Sequence, residues 1–150
     1  MSQPTNLVPA LYVTRVVPAS RERVFAAWTT PDAIKAWFGP PDCKVLDAQI
    51  ELRIGGKYYI LLSTERLGQI SVSGQYKEVK PPEKLMFTWR WDGSAELTDA
   101  TSLVTVEFLA AGAATEIRLT HEQLPTLESR DNHGHGWNST LDKLALYIGS

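Results

Sequence analysis

Residues 127–148 read LESRDNHGHGWNSTLDKLALYI. Trp137, Leu141, Leu144 and Ile148 fall at i, i+4, i+7 and i+11, which on an α-helix makes one continuous apolar stripe. Carried backwards, the stripe passes through His133 and Arg130. Gly134 and Gly136 lie inside this helix, where each costs about 1 kcal/mol relative to alanine. Glycine there points to close approach by a strand, to a kink, or to space left for something else; the alternative is a tolerated weak spot.

Working outward, the segment ahead of the helix has a different period. Lys44–Leu52, Lys57–Ser63, Gln69–Val79, Leu85–Trp91, Thr101–Leu109 and Thr115–Glu122 read as strands. They are separated by the Gly55-Gly56 turn, by Lys80-Pro81-Pro82-Glu83, by the Asp92–Asp99 loop and by Ala110–Ala114. This spacing predicts an antiparallel meander. Leu11–Val17 reads as a further strand, stopped by Pro18. Ser20 caps a short helix over Arg21–Trp28. Thr30 caps a second, with Pro31 at its first position and Asp32 at its positive end. Ile34, Trp37 and Phe38 give that helix its apolar side, and Gly39-Pro40-Pro41 ends it. A single long amphipathic helix needs the concave face of a curved sheet to cover it. A sheet so curved rarely closes without leaving a chamber against the helix.

Composition bounds the function. The chain has 150 residues, 43% of them hydrophobic and 21% charged, with a formal net charge of −2. This describes one globular domain over 1–150, with its core over about 11–148. There is no basic excess for nucleic acid. The single cysteine, Cys43, excludes an internal disulfide and a cysteine-based zinc cluster. No apolar run approaches the roughly 20 residues of a membrane helix. Met1–Asn6 lacks the basic and apolar regions of a signal peptide, so a cytoplasmic protein is expected.

Several ordered motifs together resemble one family. They are Trp37-Phe38-Gly39-Pro40, Leu52-Arg53-Ile54-Gly55-Gly56, Gly74-Gln75-Tyr76-Lys77-Glu78-Val79, Pro81-Pro82-Glu83-Lys84-Leu85, Phe87-Thr88-Trp89, Thr115 to His121-Glu122, and Gly136-Trp137 followed by Leu141-Asp142-Lys143-Leu144. Over about Tyr12–Ile148 the chain is similar to the homologues of the activator of the Hsp90 ATPase, within the START-like or SRPBCC superfamily. Ile54 stands where that turn often carries proline. The resemblance implies an α+β helix-grip (Bet v 1-like) fold with a hydrophobic cavity. The superfamily spans lipid and sterol carriers, hormone receptors, polyketide cyclases and aromatases, and chaperone activators, so fold alone does not fix the function.

Strand alternation puts Leu85, Phe87, Trp89 and Trp91 on one face, with Val104, Val106 and Phe108, and Ile117, Leu119 and His121, on the corresponding faces of the last two strands. The residues expected to line the chamber are Trp37, Phe87, Trp89, Val106, Leu119, His121, His133, Trp137 and Leu141. Of these, Trp89, His121, His133 and Trp137 are expected to converge on it. His121 reads either as a polar handle in the chamber or as a histidine hydrogen-bonded near a strand end. His133 and His135, two apart, diverge on a helix, so no shared metal is expected. Glu51 and Arg53 read as an ion pair or a solvated rim. Gly55-Gly56 is no phosphate loop, because the other glycines and the lysine are missing. Cys43 reads as an inert thiol, and Asn138-Ser139-Thr140 as a chance glycosylation match.

No nucleophile elbow and no paired inward carboxylates are visible, and no cofactor or metal is expected. The expected function is binding of a hydrophobic, aromatic or lipid-like small molecule, by a monomer or weak homodimer. A chaperone is the alternative partner, although one domain leaves no room for the additional chaperone-binding domain of the eukaryotic activators. A cyclase-like enzyme is the third reading, with His121, His133 or Arg53 assisting proton transfer.

Overall fold

Seven strands and three helices make up the computed structural model, which describes residues 8–39, 42–94 and 100–149. Their order is β1 (Leu11–Val17), α1 (Arg21–Thr29), α2 (Pro31–Trp37), β2 (Cys43–Ile50), β3 (Lys57–Thr64), β4 (Gly68–Lys80), β5 (Lys84–Asp92), β6 (Ser102–Ala111), β7 (Ala114–Glu122) and α3 (Leu127–Gly149). The Pro40-Pro41 helix stop, most of the Asp92–Asp99 loop and the Met1–Asn6 stretch lie outside the described residues.

The strands form one antiparallel sheet in the order β1-β7-β6-β5-β4-β3-β2. From β2 to β7 each strand pairs with the next in sequence, so short hairpins suffice. β1 closes on β7, with Val13 opposite Leu119. An extra residue interrupts the β2–β3 register between Val45 and Asp47, and another interrupts β4–β5 between Tyr76 and Glu78. Such bulges bend the strand and raise its twist, and the sheet curls into a half-barrel around α3. Gly74 of β4 lies tight against Thr88 of β5. A Cβ there would lie 1.9 Å from the Thr88 carbonyl oxygen, so no side chain fits.

The concave face carries the alternate residues of every strand. Tyr58, Ile60 and Leu62, Ile70 and Val72, Leu85, Phe87 and Trp89, Val104, Val106 and Phe108, and Ile117 and Leu119 are all buried. Trp137, Leu141, Leu144 and Ile148 of α3 are buried against them. Ser20 caps α1, its hydroxyl accepting from the Arg23 N–H at 3.3 Å. Thr30 holds the N-cap position of α2 with Pro31 following, but its side chain makes no capping bond. At α3 the Thr126 hydroxyl accepts from the Ser129 N–H at 3.0 Å, the bond an N-cap makes. Arg15 of β1 pairs with Asp142 on the flank of α3.

This packing separates two leucines two residues apart. Leu144 is fully buried, whereas Leu146 is 75% exposed. Leu144→Ala is expected to destabilise the protein by about 2–5 kcal/mol, the range for a close-packed leucine. Leu146→Ala should stay within about 0.5 kcal/mol of wild type. Urea unfolding of the two variants checks this; similar losses in both would mean that the helix is not seated on the face described.

Candidate functional site

Between the first half of α3 and the open end of the sheet lies a cavity of about 280 Å³. Its deep wall is apolar: Phe38 after α2, Ile70 of β4, Trp89 of β5 and Trp137 of α3, all buried. Trp91 and Leu67, both half-buried, continue it outward, and exposed Asp42, Arg66 and Asn132 form the mouth. Gly39, Cys43, Thr64, His133, Gly136 and Thr140 complete the lining. The rings pack edge to face or tilted. Trp89 lies 5.0 Å from Trp137 and 5.4 Å from Trp91 between ring centroids. A separate void of about 30 Å³ lies deeper, bounded by Trp28, Phe87, Trp89 and Trp137 among others.

The two helix glycines have different reasons. A Cβ on Gly134 would meet the Leu11 side chain of β1 at 3.3 Å, so this glycine admits a strand. A Cβ on Gly136 would meet nothing within 4 Å, and Gly136 lines the cavity. It leaves space.

Tryptophan suits such a wall but brings an N–H that cannot be buried alone without cost. Two histidines take these donors. The Trp89 and Trp91 indoles donate to His133 Nε2 at 3.3 and 3.0 Å. An indole N–H only donates, so Nε2 is an acceptor, the proton sits on Nδ1, and Nδ1 donates to the Ser129 carbonyl at 2.8 Å. Trp137 donates to His121 Nδ1 at 3.0 Å. The His121 proton therefore sits on Nε2 and is given to Ser102 Oγ at 2.7 Å, and Ser102 donates to the Trp89 carbonyl at 3.3 Å. Both imidazoles are neutral. Burial lowers the pKa of His121 to about 3, with His133 adding to the effect. Burial also lowers His133, partly opposed by its bond to Ser129. The two imidazole centroids are 4.8 Å apart, so protonating either penalises the other.

Of the residues read from sequence as lining, Trp89, His133 and Trp137 border the larger cavity and Phe87 the smaller void. His121 stands behind the wall, fully buried, near the end of β7. Trp37, Val106, Leu119 and Leu141 border neither space. Trp37 is turned into the junction of the short helices, where its indole donates to the Ala27 carbonyl at 2.9 Å and packs on Trp28. Val106, Leu119 and Leu141 fill the core, where helix and sheet meet without a gap. His135 is exposed and diverges from His133. Glu51 and Arg53 approach to 3.9 Å at an exposed turn far from the cavity lining. Cys43 donates to Asp42 at 3.8 Å; burial and the Asp42 charge push its pKa up to about 11, so it stays a thiol at neutral pH. Sequence reading missed Thr140, although it lies three residues after Trp137 and seven after His133, on the same helix face. Among the described residues no helix is long and apolar enough to cross a membrane.

The curled meander gripping a C-terminal helix over an aromatic cavity defines a START-like domain. The family model of the Activator of Hsp90 ATPase homolog 1-like proteins matches residues 18–149, and the chain belongs to that family. Solved structures agree in fold. The AHSA1 protein of Silicibacter pomeroyi is 28% identical, with a TM-score of 0.80 over 94% of this chain and 98% of that one. A protein of Chromobacterium violaceum is 27% identical, with a TM-score of 0.78 over 93% of this chain and 96% of its own. One from Nitrosomonas europaea is 20% identical, with a TM-score of 0.78 over 98% and 97%. No curated protein sequence gives a significant match.

The neutral histidines make stability depend on pH with a definite sign. In the unfolded chain a histidine takes a proton below about pH 6.5. In the folded state His121 does so only near 3. Below about pH 6.5 the unfolded state binds more protons, so stability falls with pH, by at most about 1.4 kcal/mol per unit for each such group. Between pH 7.5 and 5.0, His121→Gln is expected to lose up to about 2 kcal/mol less than wild type in urea unfolding. An identical loss in both proteins would place the titration elsewhere.

Proposed function

We propose that the protein binds a hydrophobic small molecule in the cavity between α3 and the sheet. One observation carries the reading: a space of about 280 Å³ walled by Phe38, Trp89, Trp91 and Trp137 and open to solvent past Asp42, Arg66 and Asn132. An apolar chamber with a polar mouth suits a ligand with little charge at its buried end. The histidines favour binding over acid–base chemistry. Each ring nitrogen of His121 and His133 already has a protein partner, so neither offers a free site for a proton in transit. Burying about 300 Å² of apolar ligand surface is worth roughly 7 kcal/mol gross at 25 cal/mol per Å². Association costs reduce this, which puts the expected dissociation constant near micromolar.

Gly136 supplies a blocking variant that should not unfold the protein. Gly136→Leu replaces a poor helix former by a good one, and its side chain enters open space. Titration with the neutral probe N-phenyl-1-naphthylamine should quench or shift tryptophan fluorescence in wild type at micromolar concentration, with or without a chelator. Gly136→Leu should keep or raise the melting temperature and weaken probe binding at least tenfold. Undiminished binding in this variant would exclude the cavity as the site.

A further inference from the structure

The polar groups around the cavity differ in what they have left to offer. The Trp89, Trp91 and Trp137 indoles spend their N–H on histidines inside the wall. The Thr64 hydroxyl donates to the Gly68 carbonyl at 3.0 Å and accepts from the Leu67 N–H at 2.8 Å. The Cys43 thiol is turned to Asp42. Thr140 is the exception. It lines the cavity and is 4% exposed, and its hydroxyl has no hydrogen-bond partner among the described residues. A hydroxyl on a helix often bonds back to the carbonyl four residues earlier; here that residue is Gly136, and no such bond is formed among the described residues. The hydroxyl opens onto the cavity, so a ligand oxygen that meets it exchanges a water contact for a hydrogen bond within a mostly apolar wall.

The remaining surface specifies the rest of the ligand. Indoles whose N–H groups are tied back present ring faces, which suit a flat aromatic partner. The volume is roughly twice the ~150 Å³ of an apolar cavity that takes benzene, room for about two fused rings. No cation is buried in the deep wall, so an anionic group there would be desolvated without compensation.

We propose that Thr140 is a specificity-determining residue, and that the cavity takes a flat, uncharged molecule of about two fused rings bearing one hydroxyl or carbonyl oxygen that hydrogen-bonds to the Thr140 hydroxyl. The assignment rests on the cavity-binding reading above.

The test compares shape-matched probes. Dissociation constants are measured by tryptophan fluorescence for 2-naphthol, 2-methylnaphthalene and 2-naphthoate with wild type, Thr140→Val and Thr140→Ser. Valine keeps the shape and removes the hydroxyl; serine keeps the hydroxyl. The ratio of the 2-naphthol constant to the 2-methylnaphthalene constant should rise about three- to tenfold in Thr140→Val, the worth of one hydrogen bond. It should stay within about twofold of wild type in Thr140→Ser. 2-Naphthoate should bind at least tenfold more weakly than 2-naphthol to wild type. The ratio cancels any general loosening of the cavity, because both neutral probes would feel it alike. An unchanged ratio in Thr140→Val overturns the role of Thr140 while leaving cavity binding intact. Tighter binding of 2-naphthoate than of 2-naphthol overturns the uncharged class. If none of the three probes binds and N-phenyl-1-naphthylamine does, the fused-ring assignment fails and the cavity reading stands. If N-phenyl-1-naphthylamine fails as well, both fall.

Discussion

Seating of the Trp137–Leu141–Leu144–Ile148 stripe on the concave face of the sheet is the contact on which the other features depend. The sheet has one face that can be shielded from water and α3 is the long element available to shield it. The curl needed to wrap a cylinder is supplied by the bulges after Val45 and Tyr76 and by the close passage of Gly74 against Thr88. Along the second half of the helix, Leu141, Leu144 and Ile148 fill the groove. Along the first half, glycine removes side chains in two directions, Gly134 towards β1 and Gly136 towards the cavity. The strand reaches in at Gly134, and the groove stays open at Gly136. The cavity is thus the end of the core where the helix stops filling the sheet.

An aromatic wall poses a polar problem, and two histidines, His121 buried and His133 half-buried, are its solution. Three indole N–H groups aimed at an apolar chamber would each be desolvated without a partner. His133 takes two of them and His121 takes the third, and Ser102 and the Ser129 carbonyl fix the tautomer of each. Trp89 is held twice over, by its indole to His133 and, through its carbonyl, by Ser102. The rings are therefore held in position by the protein's own hydrogen bonds. These imidazoles act in the wall as neutral acceptors, which requires burial deep enough to depress their pKa values.

The elements were legible in the sequence because their signals are local. Period two and turn residues mark the strands, and period 3.6 marks α3 from Leu127 onward. Capping was legible at Ser20, where side-chain type and backbone agree. It was missed at Thr126, which precedes the first apolar residue of a helix whose opening turns are polar. The site was legible only where it coincides with an apolar stripe: Trp89, His133 and Trp137 lie on inward faces and reach the cavity. Alternation tells which face a residue occupies and not whether that part of the face is filled, so Val106, Leu119 and Leu141 read the same as Trp89 and are core. Trp37 faces inward from α2 yet turns to Ala27, a contact fixed by how the two short helices cross. The indole–imidazole bonds join residues 44, 42 and 16 positions apart, which no local pattern reports. Thr140 was passed over because an apolar stripe is counted on apolar residues.

The features that border the chamber are the ones that weaken the fold. Gly136 forgoes roughly 1 kcal/mol of helix propensity with no strand in contact to explain it. Two imidazoles with lowered pKa, His121 buried and His133 half-buried, make stability fall in acid. Thr140 sets in the cavity wall a hydroxyl that the helix backbone does not satisfy. In a domain optimised only to fold, alanine at 136, a larger apolar residue at 140 and aliphatic residues in place of the indole–imidazole wall would each fill or dry this space. Elsewhere the core does so: Leu62, Leu85, Ile117, Leu119, Leu141 and Leu144 are fully buried and need no polar partner. Local departures from stable packing that converge on one open space are what a binding site requires, because ordering each wall side chain during binding would otherwise subtract about 0.5–1.5 kcal/mol from affinity. The histidines hold three tryptophans in advance, so binding of the proposed ligand would not incur that term for them.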